Sequence, residues 1–240
     1  ANGSYSTAIG RRTKASGLGA TALGRATSAS GNYSIATGSS TTASGDYSSA
    51  MGLLTTASGF GSTAMGDGTT ASGDYSTSLG SVTKAIGQYS TAMGGSTRAD
   101  TTYATAMGKS TTASGFASTA MGNETTASGY ASTALGNGTE AETSYSTAMG
   151  KSTTAGGYAS TAMGDGTTAS GDYSTAMGEN TAAIGNNSTA IGTDVTANGY
   201  GTLIIGDSNP GGAVYTSGTN DKFIGRFYNG YYFLTSATGA

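Results

Sequence analysis

The chain has no cysteine, no histidine, no tryptophan and a single proline in 240 residues. Without cysteine there is no disulfide framework to staple a small domain. Without cysteine or histidine there is no Ser-His or Cys-His dyad and little scope for zinc. No catalytic residue, metal-ligand set or cofactor site is therefore read from the sequence, and no enzyme activity is expected. Charge is scarce as well: Asp, Glu, Lys and Arg make up 10% of the residues, and the formal net charge is −3. Such a balance offers no electrostatic case for a nucleic-acid partner. An apolar run of about 20 residues, the length a membrane helix needs, is missing too, so no membrane insertion is expected of this segment. A secretory signal is equally absent. Both ends fall without a terminating feature, which suggests a piece of a longer protein.

Glycine is plentiful, with 42 residues, and its placement is periodic. One glycine recurs at 10, 24, 38 and every fourteenth position to 206, fifteen times without an insertion. A second series runs half a period out of phase, from Gly3 to Gly199, and only Thr101 and Thr143 break it. Disordered Gly/Ser/Thr segments do not keep such a register. Helix is excluded because glycine every seven residues would cost about 1 kcal/mol apiece. Collagen is excluded because it needs glycine at every third position. Each half-repeat has strand length and ends at a glycine turn. The expected fold is all-β, a parallel solenoid of fifteen 14-residue coils. At about 4.8 Å per coil it is a rod roughly 70 Å long.

Alternation along each strand assigns faces. In the first strand the residue before glycine is apolar in every coil but one, and all eight methionines stand there. The exception is Thr37, whose partner two residues earlier is Ile35. This Thr/Met face is expected to point inward. The Ser/Ala face is small and uncharged throughout, so burial against partner chains is expected at Ser62, Ala64, Ser118, Ala120, Ser146, Ala148, Ser174 and Ala176. In the second strand, alanine recurs from Ala15 to Ala197 while charges flank it, so alanine is expected inside, large opposite small. A thin rod of this kind is marginal alone, which favours a side-by-side homo-oligomer.

Strand one reads Ser-Thr-Ala-Ile-Gly at 6–10 and 188–192, and Ser-Thr-Ala-Met-Gly at 62–66, 90–94, 118–122, 146–150, 160–164 and 174–178. These segments resemble the Ser-Val-Ala-Ile-Gly head repeat of the YadA-like trimeric autotransporter adhesins, with Thr in place of Val. The resemblance covers roughly residues 3–206. It implies a left-handed parallel β-roll, three chains side by side, displayed extracellularly on a bacterial surface fibre anchored in the outer membrane. It also implies attachment to extracellular matrix or to a cell-surface protein or glycan, a virulence role in such adhesins. No heptad stalk or membrane-anchor barrel follows the repeats, so a phage fibre or surface fibre with a purely structural role stays open.

Two further surfaces are legible. The outward face of strand two carries Thr42/Ser44, Thr56/Ser58, Thr70/Ser72, Thr112/Ser114, Thr126/Ser128 and Thr168/Ser170, a hydroxyl ladder and candidate binding face. Its geometry is also that of an ice-binding solenoid, although Lys84, Arg98, Asp100, Glu140 and Glu142 interrupt it. One aromatic ring per coil occupies one of two adjacent slots of the second turn. Arg11, Arg12 and Lys14 form a small basic spot, expected to be a solvated turn. The repeat head is assigned to residues 1–206. Residues 207–240 are assigned to an aromatic-rich loop and a C-terminal β-hairpin cap, with an Asn229-Gly230 turn.

Overall fold

In the computed structural model the residues described are 1–207, 215–217, 219–227 and 230. They form a parallel β-solenoid with two sheets and no helix, one sheet of 16 strands and one of 15. Every strand pairs in parallel with the equivalent strand of the next coil, as in Thr91–Gly95 with Thr105–Lys109. From Gly10 to Gly206 the stagger stays at fourteen residues, which makes fourteen complete turns. The long strands span five residues, for example Thr119–Asn123. The short strands span only two until the last two of that sheet, which span three; Thr126–Ala127 is an example, briefer than the half-repeat suggests.

Backbone sterics explain the long-strand glycine. Gly94 has φ +120°, and a Cβ there would lie 2.0 Å from the carbonyl oxygen of Gly108. No side chain survives that approach, and the same clash recurs from Gly10 to Gly192. The second glycine series is required by close packing alone: a Cβ on Gly59 would lie 2.1 Å from the oxygen of Gly73. Thr101 and Thr143 replace that glycine by turning their hydroxyls onto the crowding carbonyls of Gly115 and Gly157, at 2.6 and 2.5 Å.

The interior reverses the expected faces of the first strand. Ala22, Ala64, Ala120, Ala148 and Ala176 are fully buried within the single chain, as are Ser62, Ser118, Ser146 and Ser174. The eight residues expected at a partner interface therefore line the coil's own core and cannot meet a neighbour. Alanine of the short strand, from Ala15 to Ala197, is buried opposite them. The core is small against small, closed by a threonine that follows the first turn (Thr27, Thr41, Thr55 and onward). Two short turns hold the sheets so close that nothing larger fits between them. The Thr/Met face points outward: Met65 is 39% exposed, Met121 38% and Ile35 43%.

Ser78, which replaces an inward alanine, confirms the orientation chemically. Its hydroxyl lies 2.7 Å from that of Thr83, and both are buried. At the C-terminal end the core widens: Val195 and Ile204 are fully buried, and Ile224 packs on them. There the coil lengthens by six residues, because Leu203 pairs with Phe223 and Val195 with Tyr215. The extra residues lie between Gly206 and Tyr215. Tyr215–Ser217 and Phe223–Arg226 thereby continue the two sheets in parallel beyond the regular repeat. Asn229 and the second strand of the expected hairpin, at 231–236, lie outside the described residues.

Candidate functional site

Four surfaces run along the rod, because each position of the coil becomes a column. The outward face of the long-strand sheet has two uncharged columns. One is threonine from Thr7 to Thr189, interrupted by Ile35 and Ser49; the other is Met, Leu or Ile, interrupted only by Thr37. Stacking between coils half-buries each methionine and leaves the rest open to solvent. A third column after the glycine is variable and carries charge at Arg11, Arg25, Asp67, Lys109, Lys151, Asp165 and Glu179. Lys151 Nζ reaches Asp165 at 3.1 Å in this column. An apolar stripe with a polar rim is the composition of an interface, not of a solvated face.

Sequence reasoning missed this stripe because neither face of the strand carries charge, so charge could not tell them apart. Side-chain size carries the signal. The Ser/Ala face never exceeds serine before Thr202 and Ile204 at its end, a ceiling that only a narrow interior imposes, whereas the other face admits Met, Leu, Ile and Thr freely.

The short-strand sheet does present its ladder outward. Thr42, Thr56, Thr70, Thr112, Thr126 and Thr168 are half-buried, while Ser44, Ser58, Ser72, Ser128 and Ser170 are exposed and Ser114 is half-buried. The sheet is two residues wide, so the ladder is narrow. Arg98 and Asp100 pair across it at 2.5 Å, and Lys84, Glu140 and Glu142 break it further. A flat, regular hydroxyl array is interrupted at the middle of the rod.

Rings run along the second turn without a gap from Tyr33 to Tyr173, with neighbouring centroids 5.2–5.7 Å apart. Where the ring is at the later slot, as at Tyr75 and Tyr89, it holds φ of 58° and 57°. Where it is one residue earlier, as at Phe60 and Phe116, Gly61 or Ala117 takes the left-handed position instead. Both slots aim into the same column, which explains the alternation in the sequence. Side-chain oxygens reinforce this edge: Asp74 accepts the Phe60 N–H at 2.9 Å, and Asp172 accepts that of Tyr158 at 2.9 Å.

The first turn is the fourth surface. Its left-handed residue is Arg12, Ala26, Ser40 and Leu54 in successive coils. Arg11, Arg12, Arg25, Ala26 and Ser40 line a shallow cleft of about 260 Å³. Among the described residues no group of three or more acidic side chains is placed to hold a metal ion. Asp67 lies at a strand end of the first turn and Asp74 in the second turn, so they are not brought together.

The family model for the YadA head domain repeat matches residues 1–27, 29–54, 57–82, 85–111, 113–139, 127–153, 141–167, 155–181, 169–194 and 178–202. Comparison with curated proteins gave no match.

Proposed function

The chain belongs to the YadA head family, and from that premise we propose that it is the head of a trimeric surface adhesin whose three copies meet through the Thr/Met face. The supporting observation is the uncharged, half-exposed Met/Leu/Ile column that runs from Ile9 to Ile205 and is broken only at Thr37. A column of that length spans roughly 70 Å. With its threonine neighbour it forms a continuous uncharged strip bordered by charged residues, the composition of an interface. Packing three long-strand sheets against one another covers the stripe. It leaves the short-strand sheet, with its Thr/Ser ladder from Thr42 to Ser170, facing outward as the surface offered to ligands. Tyr215–Ser217 and Phe223–Arg226 pair onto the last regular coil and cover its edges. The assembly is displayed at a bacterial surface and attaches to matrix, host cells or other surfaces.

Two glutamates placed on the stripe, Met107→Glu and Met121→Glu, test the reading. The variant should keep its β circular-dichroism spectrum, since both side chains point away from the coil core, yet run at the mass of one chain. A variant that stays trimeric removes the stripe as the interface. Beads coated with wild-type protein should be retained on matrix-coated surfaces, and beads coated with the variant should be retained less. Equal washing-off of both would assign the rod a spacer role.

A further inference from the structure

Four of the chain's ten cationic residues lie in the first 45 positions, at Arg11, Arg12, Lys14 and Arg25, and none of its thirteen acidic residues does. The first acid is Asp46, which sits in the second turn and accepts the Asn32 N–H, on the opposite edge of the coil. Arg11 and Arg25 are direct cross-strand partners in the long-strand sheet. Like charges in register are destabilising, and the two guanidinium-bearing strands stand about 4.8 Å apart. Among the described residues neither Arg11, Arg12 nor Arg25 takes part in an ion pair, in contrast to Arg98 with Asp100 and Lys151 with Asp165. The three arginines are exposed and border the same cleft, with the half-buried Ser40 on its far wall.

We propose that this cleft binds the sulfate groups of a sulfated polysaccharide. This deepens the adhesive reading above by naming a ligand class, and it does not depend on how many chains assemble. A sulfate ester presents three free oxygens in a tetrahedral array. One such group set between Arg11 and Arg25 accepts from both guanidinium forks and relieves their repulsion, which a planar carboxylate reaching a single fork does less well. Arg12 in the turn and Lys14 at the start of the short strand extend the positive track around the first turn. A chain carrying several sulfates follows that track. The footprint is two coils, roughly 10 Å along the rod, which suits a few sugar units. Single-stranded nucleic acid is disfavoured because its bases need aromatic platforms beside the phosphates. In this chain the ring ladder occupies the second turn, on the other edge. The net-acidic remainder of the rod, with six cations against thirteen acids, confines the contact to this end.

The test is binding of a fluorescently labelled, highly sulfated glycosaminoglycan of heparin type to the full 240-residue chain, read by anisotropy. The comparison is with Arg11→Ser/Arg25→Ser and with Lys109→Ser. Serine already occupies that column at Ser39 and Ser81, so the double variant folds, and its melting curve and mass check this. Binding should weaken more than tenfold in the double variant and less than twofold in Lys109→Ser, which removes a single charge from the same column seven coils away. Inorganic sulfate should compete only at far higher concentration than the polymer. Undiminished binding by the double variant, or no binding by the wild type, overturns the proposal. Arginine-dependent binding to phosphatidylserine vesicles without polysaccharide binding overturns it in favour of a membrane surface. Loss of the trimer alone leaves it standing.

Discussion

At the scale of single residues, the interior threonine is the least expected choice. Thr27, Thr41, Thr55, Thr97, Thr111 and their equivalents are fully buried, and their hydroxyls have no hydrogen-bond partner. A buried polar atom without a partner costs on the order of 1–3 kcal/mol. Thr83 escapes that cost through Ser78, and Val195 shows that the same column accepts an isosteric apolar side chain in a fully buried state. Thr111→Val should therefore stabilise the fold by about 1 kcal/mol, seen as a higher thermal midpoint with unchanged assembly mass. A lower midpoint would mean that the hydroxyl is satisfied in solution. The buried serine column tells a related story. Ser34 and Ser62 donate to the carbonyls of Gly31 and Gly59 at 2.6 and 2.7 Å, while Ala20 and Ala104 fill the same position with no hydroxyl at all. Small volume is what this interior selects, and polarity is tolerated.

At the scale of the coil's elements, periodicity made the strands, the turns and the parallel pairing legible before any coordinates. Glycine marks both places where a Cβ would strike the next coil, in two series seven residues apart. Orientation of the long strand was not legible in the same way. Period-two alternation has two solutions related by turning the strand over, and the rule that bulk belongs inside favours the wrong one when the interior is too thin for bulk. Arg25 joined the basic spot only through its register with Arg11, which neighbouring positions in sequence do not display. The aromatic ladder was half legible: alternating slots were visible, but their convergence on one column depends on left-handed turn geometry. Tyr89 stacks on Tyr75 and Tyr103 at 5.3 Å on either side. Tyr89→Ala should cost about 1–3 kcal/mol by chemical denaturation, since each aromatic pair is worth about 0.5–1.5 kcal/mol. Alanine itself is accommodated in that backbone conformation, as at Ala117 and Ala131. Tyr200 has no ring stacked on it among the described residues, so Tyr200→Ala should cost less. Equal losses at the two sites would show that the ladder contributes nothing beyond individual turn packing.

At the scale of the whole molecule, a rod one coil thick contains few fully buried side chains larger than threonine, and among the described residues those that are, Val195 and Ile204, lie at one end. Its apolar bulk, the eight methionines with their leucine and isoleucine equivalents, is on the outside of the long-strand sheet. Stability of the isolated chain then rests on backbone ladders, alanine packing and ring stacking, and burying the stripe adds the hydrophobic contribution that a domain of this length ordinarily finds within itself. On the proposed reading, assembly adds stability to a chain that already folds, and lateral contact is the step that the adhesive role requires. Sedimentation equilibrium of the 240-residue chain at micromolar concentration tests this most directly. The account predicts a single species of three times the 23.2 kDa chain mass. A stable species at 23.2 kDa would contradict it.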